Sequence, residues 1–256
     1  MKKEIYNENC LVTMGRMDDN YIDLTITSPP YDNIRKYNGY SFDFQYIAQE
    51  LYRVTKKGGV LVWVVSDATV KGSETGTSFK QALYFMQCGF KLHDTMIYRS
   101  EKPPLTHNRY EQKFEYMFVF SKDKPKTFNP IMEQCKHFGK SRKSTTMRQD
   151  SDNTSNRSSK GKIKQFKIKS NVWDYNTGFM QSSLDKIAFK HPAIFPEKLA
   201  EDHILSWSNE GDLIYDPFAG SGTTLKMAKL TNRKFIGSEI SSEYCEIINK
   251  RITNLL

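Results

Sequence analysis

Asp212-Leu213-Ile214-Tyr215-Asp216-Pro217-Phe218-Ala219-Gly220-Ser221-Gly222-Thr223-Thr224 passes from an apolar strand through a glycine turn into a helix. The apolar run predicts a strand over 212–217, and the helical spacing that follows predicts a helix over 223–230. Gly220 and Gly222 let the backbone turn tightly and approach a ligand, and the helix N-terminus offers unpaired amides. No lysine follows the glycines and their spacing is short, which excludes a phosphate-binding loop. Asp216 at the mouth of such a turn repels a pyrophosphate and attracts an ammonium, so an amino-acid-like group fits better.

The next strand, 234–240, carries Glu239, where an acid chelates ribose hydroxyls in Rossmann-like sheets. An amino acid joined to a ribose describes S-adenosylmethionine. A purely structural turn accounts for the two glycines as well, and the loop alone leaves that alternative open.

Outward from this point, both ends of the chain alternate strand and helix signals. At the N-terminal end 5–6 and 21–27 read as strands, the second stopped by Ser28-Pro29-Pro30. Ser41 is the expected N-cap of a helix with Phe44, Ile47, Ala48, Leu51 and Val54 on its apolar face. Lys56-Lys57 complement its dipole and Gly58-Gly59 end it. Val60 to Val65 is continuously apolar, as in a sheet covered on both faces. A helix over 77–88 places Phe79, Ala82, Leu83 and Met86 on one side, and strands follow at 92–99 and 113–120. Toward the C-terminus, Pro196 opens a helix to Trp207 and Ser242 opens a closing one to Leu255. The alternation predicts one α/β sheet. Trp63, Trp173 and Trp207 are expected in its core.

The chain has 256 residues and a net charge of +9, but the charge is concentrated. Residues 121–170 hold fourteen Lys/Arg against four acids, net +10, and the remaining residues are close to neutral. Fourteen of the thirty residues from Ser141 to Ser170 are Ser, Thr, Asn or Gln, which predicts a loop-rich insert. Such a module suits a polyanion through counterion release, although a solvated charged loop has the same composition. The longest apolar run is too short for a membrane span, and no signal-peptide core follows the first residues. Cys10, Cys88, Cys135 and Cys245 form no paired motif, and the five histidines show no metal-ligand spacing. A reduced, cytoplasmic, metal-free protein is the expectation.

A second motif, Thr27-Ser28-Pro29-Pro30-Tyr31, ends the strand over 21–27. The prolines remove two donors and stiffen the turn. Ser28 Oγ and the Pro29 carbonyl then accept hydrogens from an exocyclic amine while Tyr31 stacks on a planar base. A rigid surface turn accounts for the prolines without the tyrosine. Tyr37-Asn38-Gly39-Tyr40, just beyond, reads as a turn.

Taken together, the chain resembles the DNA amino-methyltransferases of the β group, which methylate N4 of cytosine or N6 of adenine. Ser28-Pro29-Pro30-Tyr31 is similar to their catalytic motif, and Asp216 to Thr223 to their cofactor loop. His191-Pro192-Ala193-Ile194-Phe195-Pro196-Glu197-Lys198-Leu199 is similar to the segment packing against the cofactor. The resemblance implies a Rossmann-like, S-adenosylmethionine-dependent methyltransferase sheet, mixed but mostly parallel, with helices on both faces. Motif order is permuted: a catalytic half at 1–120, a target-recognition insert at 121–170 and a cofactor half at 171–256.

Implied catalytic residues are Ser28, Pro29, Pro30 and Tyr31. Implied cofactor contacts are Asn9, Phe195, Asp216, Phe218, Ala219, Gly220, Ser221, Gly222, Thr223 and Glu239. At Asn9 the sequence departs from the family, which often has an aspartate that accepts from the adenine amine. Double-stranded DNA with a flipped base is the implied substrate, with cytosine N4 favoured by the serine and adenine N6 as the alternative. A homodimer and a cognate restriction endonuclease are implied partners. Rival readings are an RNA methyltransferase and a DNA-binding protein without catalysis.

Overall fold

The computed structural model describes residues 4–30, 42–99, 109–141, 145–150, 153–158 and 161–253, with the backbone alone in 145–150 and 153–158. In chain order the strands begin with β1 (Ile5–Tyr6), β2 (Ile22–Thr27), β3 (Thr55–Val65), β4 (Thr69–Val70) and β5 (Ser73–Glu74). They continue with β6 (Lys91–Arg99), β7 (Phe114–Ser121), β8 (Met132–Gln134), β9 (Thr145–Asp150) and β10 (Asn153–Ser158). β11 (Phe166–Ile168), β12 (Val172–Asp174), β13 (Leu213–Asp216) and β14 (Lys234–Ser238) complete the set. Helices are α1 (Cys10–Met14), α2 (Phe44–Val54), α3 (Thr77–Gln87), α4 (Glu197–Trp207), α5 (Thr223–Leu230) and α6 (Ser242–Thr253).

Eight strands form one sheet in the order β1-β14-β13-β2-β3-β7-β6-β12. All neighbours are parallel except β7, which runs against both β3 and β6. The strand order reverses between β13 and β2, so a crevice opens beyond their C-terminal ends, where α/β sheets bind ligands. β2 and β3 are buried along most of their length because both faces are covered, as the run Val60 to Val65 predicts. Trp63, Phe85, Phe90 and Phe120 form an aromatic cluster under α2 and α3, and the Trp63 indole donates to Gln81 Oε1 at 2.9 Å. Trp63, Trp173 and Trp207 are all buried.

Several local expectations are corrected. Asp43, not Ser41, caps α2, its Oδ1 accepting from the Tyr46 amide; Ser41 lies outside the described residues. Lys56 to Gly59 belong to β3, and α2 ends at Val54 because the Asn20 and Tyr21 amides take the Arg53 and Val54 carbonyls. On α3 the buried residues are Ser78, Gln81, Ala82 and Phe85. The stripe Phe79, Leu83 and Met86 faces outward. Pro196 is the N-cap of α4 and its helix starts at Glu197. Tyr31 and Tyr37 to Tyr40 lie outside the described residues.

The chain divides into two compact units, Met1–Asn129 with Asn171–Leu256, and Pro130–Ser170. Residues 121–129, although basic, belong to the first: Lys122 exchanges backbone hydrogen bonds with Gly58 and Gly59, and Phe128 stacks on Trp207 at 5.0 Å. The second unit is not the loop-rich module its composition predicts. β9 pairs with β10 antiparallel over six residues each, and β8 pairs with β11. No helix among the described residues is long and apolar enough to cross a membrane.

Candidate active site

The two sequence motifs meet at the switch point. β2 ends in Thr27, with Ser28 the next residue, and β13 ends in Asp216, on neighbouring parallel strands. Thr27 Oγ1 donates to Asp216 Oδ1 at 2.6 Å, and Thr224 Oγ1, in the first turn of α5, donates to the Ile26 carbonyl at 3.2 Å. Ser28 and Pro30 are half-buried and Pro29 is buried.

Beyond β13 the turn is fixed by its own amides. Phe218 N–H donates to Asp216 Oδ1 at 3.0 Å, Ala219 N–H to the Ser238 carbonyl at 2.9 Å and Gly222 N–H to the Ala219 carbonyl at 2.6 Å. Gly222 has φ +79°, and a Cβ there would sit 2.9 Å from Ile248 Cγ2. Gly220 has φ +52°, and its Cβ would press on the His191 imidazole at 3.0 Å. Both glycines are therefore required by backbone conformation and by close approach.

Asp216 does not stand at the mouth of the turn as expected; it is 1 % exposed, beneath it. Burial pushes its carboxyl up to about 6, against the hydrogen bonds from Thr27 and the Phe218 amide. Glu239 is also buried, and that burial raises its carboxyl. Its Oε2 accepts the Gly220 amide at 2.8 Å and its Oε1 the Ser241 amide at 2.9 Å, so Glu239 shapes the loop from behind. Among the described residues no cationic side chain pairs with either carboxylate. The crevice thus carries uncompensated negative charge.

The remaining expected residues surround this centre. Phe218 is edge-on to Phe42 and Trp63. Asn9 caps α1, its Oδ1 accepting the Leu11 amide at 2.8 Å, which leaves that single oxygen one further lone pair. Phe195 is half-buried just before α4. Asn7 Nδ2 donates to the Glu239 and Ile240 carbonyls, and His191 lies over Gly220.

Two residues outside the expected set hold the loop. Arg251 is fully buried; its guanidinium donates to the Ser221 carbonyl and Oγ, to Thr223 Oγ1, and to Asp185 and Glu197. Lys226 Nζ meets the same two carboxylates at 2.8 Å. One signal for Arg251 is visible in sequence: it lies on the apolar face of α6, one turn beyond Ile247. Thr27 carries no such mark, because its partner is 189 residues away.

A Rossmann-like sheet whose switch point joins a glycine turn to a Ser-Pro-Pro strand end is the ligand-binding arrangement of an open α/β fold. The chain belongs to the DNA methylase family of N6 and N4 amino-methyltransferases, which matches residues 22–250. It is 58 % identical to the orphan methyltransferase M.BamHII of Bacillus amyloliquefaciens over 238 residues, 92 % of this chain and 90 % of that protein. The fold is shared with the cytosine-N4-specific PvuII DNA methyltransferase, TM-score 0.70 at 20 % identity, covering 96 % and 85 % of the two chains. It is shared also with the putative DNA modification methylase TTHA0409 of Thermus thermophilus in complex with S-adenosyl-L-methionine, TM-score 0.67 at 20 % identity, covering 98 % and 93 %. Sheet and motif order are those the sequence predicts.

The Thermus thermophilus structure holds S-adenosyl-L-methionine. The residues present fit it. Two buried carboxylates without cationic partners complement a ligand that carries an ammonium and a sulfonium.

Proposed function

We propose that this DNA methyltransferase transfers a methyl group to the exocyclic amine of a flipped base, N4 of cytosine, at a specific sequence. The observation that carries the reading is the adjacency of the Ser28-Pro29-Pro30 strand end to the cofactor loop across β2 and β13. S-adenosylmethionine, when bound, supplies an electrophilic methyl group. Asp216 provides the countercharge for its ammonium, Glu239 fixes the 218–223 turn against which the remainder lies, and Asn9 and Phe195 bound the adenine side.

An exocyclic amine is a weak nucleophile because its lone pair conjugates with the ring. Ser28 Oγ and the Pro29 carbonyl accept its two hydrogens, which draws the nitrogen toward tetrahedral geometry and disperses the arriving positive charge. Pro29 and Pro30 keep these acceptors rigid. Tyr31 stacks on the extruded base, whose target atom is out of reach inside a duplex.

The unit Pro130–Ser170 is the DNA-reading module, its lysines and arginines on phosphates and its polar side chains on base edges. The exposed stripe Phe79, Leu83 and Met86 on α3 is the surface of a homodimer. M.BamHII is named an orphan methyltransferase, and this chain is read likewise as working without a dedicated endonuclease. It acts in the cytoplasm, on DNA.

Incubation with unmodified genomic DNA and cofactor, followed by nucleoside mass spectrometry, tests the reading. N4-methylcytosine is expected. N6-methyladenine would reassign the base while keeping the mechanism, because a serine hydroxyl accepts from either amine. Absence of both products would refute the reading.

A further inference from the structure

We propose that Thr27 is a positioning residue for methyl transfer: its hydroxyl, bonded to the Asp216 carboxylate, sets the strand end bearing Ser28 against the cofactor turn. The inference rests on the reading of the site given above. The backbone ladder between β2 and β13 makes its last pairing at Thr25 and Tyr215. It stops short of both Ser28 and the turn. From there two buried hydroxyls continue the connection, Thr27 to Asp216 at 2.6 Å and Thr224 to the Ile26 carbonyl at 3.2 Å. β2 is otherwise apolar at its buried positions apart from Thr25, and valine fills the volume of threonine without a polar atom to satisfy. A hydroxyl at residue 27 is thus matched to the carboxylate rather than to packing.

The surroundings of Asp216 make this hydroxyl consequential. Facing it are the Phe218 amide and Thr224 hydroxyl, together with the Glu239 carboxylate, the Cys10 thiol and the Tyr215 phenol. These come from the turn, α5, the end of β14, α1 and β13, and none is cationic. Thr27 supplies the shortest hydrogen bond that the carboxylate accepts. Removing it loosens Ser28 relative to the turn and also makes Asp216 easier to protonate. A residue that only filled space would do neither.

The test compares the full-length parent with Thr27→Val and Thr27→Ser. Cofactor dissociation constants are measured from pH 5.5 to 8, with single-turnover transfer to unmodified genomic DNA at pH 8 under saturating cofactor. In the parent, affinity rises with pH to a plateau with a midpoint near about 6. Thr27→Val is expected to move that midpoint up by about one unit and to slow transfer about tenfold, and Thr27→Ser to restore both to within about twofold. If Thr27→Val does not fold, Thr27→Ala against Thr27→Ser gives the same comparison.

A hydroxyl-free variant with the parental midpoint and rate would overturn the proposal. So would a slow variant with an unmoved midpoint that serine fails to rescue. A parent that binds no cofactor at any pH would instead overturn the reading of the site, and this inference with it.

Discussion

Replacing Arg251 by methionine keeps an unbranched side chain in place but removes the charge that balances two carboxylates behind the cofactor loop. The guanidinium has no exposed surface and meets Asp185 at 3.0 Å and Glu197 at 2.5 Å, while Lys226 meets both at 2.8 Å. Two cations face two anions. Burial raises the Asp185 carboxyl, but the hydrogen bonds from Lys226 and Arg251 outweigh it and hold it below the usual range. With Arg251 gone, one negative charge is left without a partner and the Ser221 carbonyl loses its donor. Breaking a buried ion pair from one side costs about 3–5 kcal/mol. For a chain of this size that corresponds to a fall in Tm of roughly 6–20 °C. Urea unfolding and thermal melts of parent and Arg251→Met measure it. Adding Glu197→Gln restores the charge balance and should recover about 1–2 kcal/mol of the loss. A loss below about 1 kcal/mol, or no recovery in the double variant, would refute the claim that this network fixes the loop.

Asp216→Asn keeps the shape of the loop's base and removes its charge. Cofactor affinity should fall by about two orders of magnitude and lose its pH dependence, read by titration calorimetry. Because the folded carboxyl is raised to about 6, it disfavours folding as pH rises through that value. The same variant should therefore be more stable at pH 7.5, by about 3 kcal/mol at most.

His203 is held near 3 by complete burial against Trp173 and Met117. Below the unfolded pKa of about 6.5 only the unfolded chain takes its proton, so stability is lost as pH falls. The advantage of the parent over His203→Gln in urea unfolding should shrink by about 2 kcal/mol between pH 7 and 5; a constant difference would contradict it. Changing the exposed Lys136, Lys140, Lys162 and Lys164 to glutamine should lower the salt slope of DNA binding, by about 0.9 for each phosphate no longer neutralised. Cofactor affinity should be unaffected, and an unchanged slope would remove the module from the DNA interface.

The parts of the site confined to short stretches of chain are legible in the sequence. Gly220 and Gly222 read as a turn because a side chain there is strained by positive φ and meets close neighbours, and the apolar run from Val60 to Val65 marks a covered strand. Pairings across the sheet are not legible. Nothing beside Thr27 announces Asp216, and nothing beside Arg251 announces Asp185 or Glu197. The sequence ties Asp216 and Glu239 to the loop, yet their hydrogen bonds with its amides emerge only in the folded chain.

On α3 the helical period is visible but its orientation is not. Phe79, Leu83 and Met86 have the spacing of a core stripe, yet the sheet takes the side with Gln81, whose amide oxygen satisfies the Trp63 indole. In the basic unit, the strands β9 and β10, rich in Ser, Thr, Asn and Arg, lack the apolar alternation by which strands are recognised, so their hairpin reads as loop.

The central claim is that this chain moves a methyl group to a base amine held by Ser28 beside the loop of Asp216. Single-turnover transfer of labelled methyl from S-adenosylmethionine into unmodified genomic DNA, by the parent and by Ser28→Ala, tests it most directly. The parent should label DNA, and the variant should do so about a hundredfold more slowly with its cofactor dissociation constant unchanged to within about twofold. A parent that labels no DNA, or a variant as fast as the parent, would contradict the account.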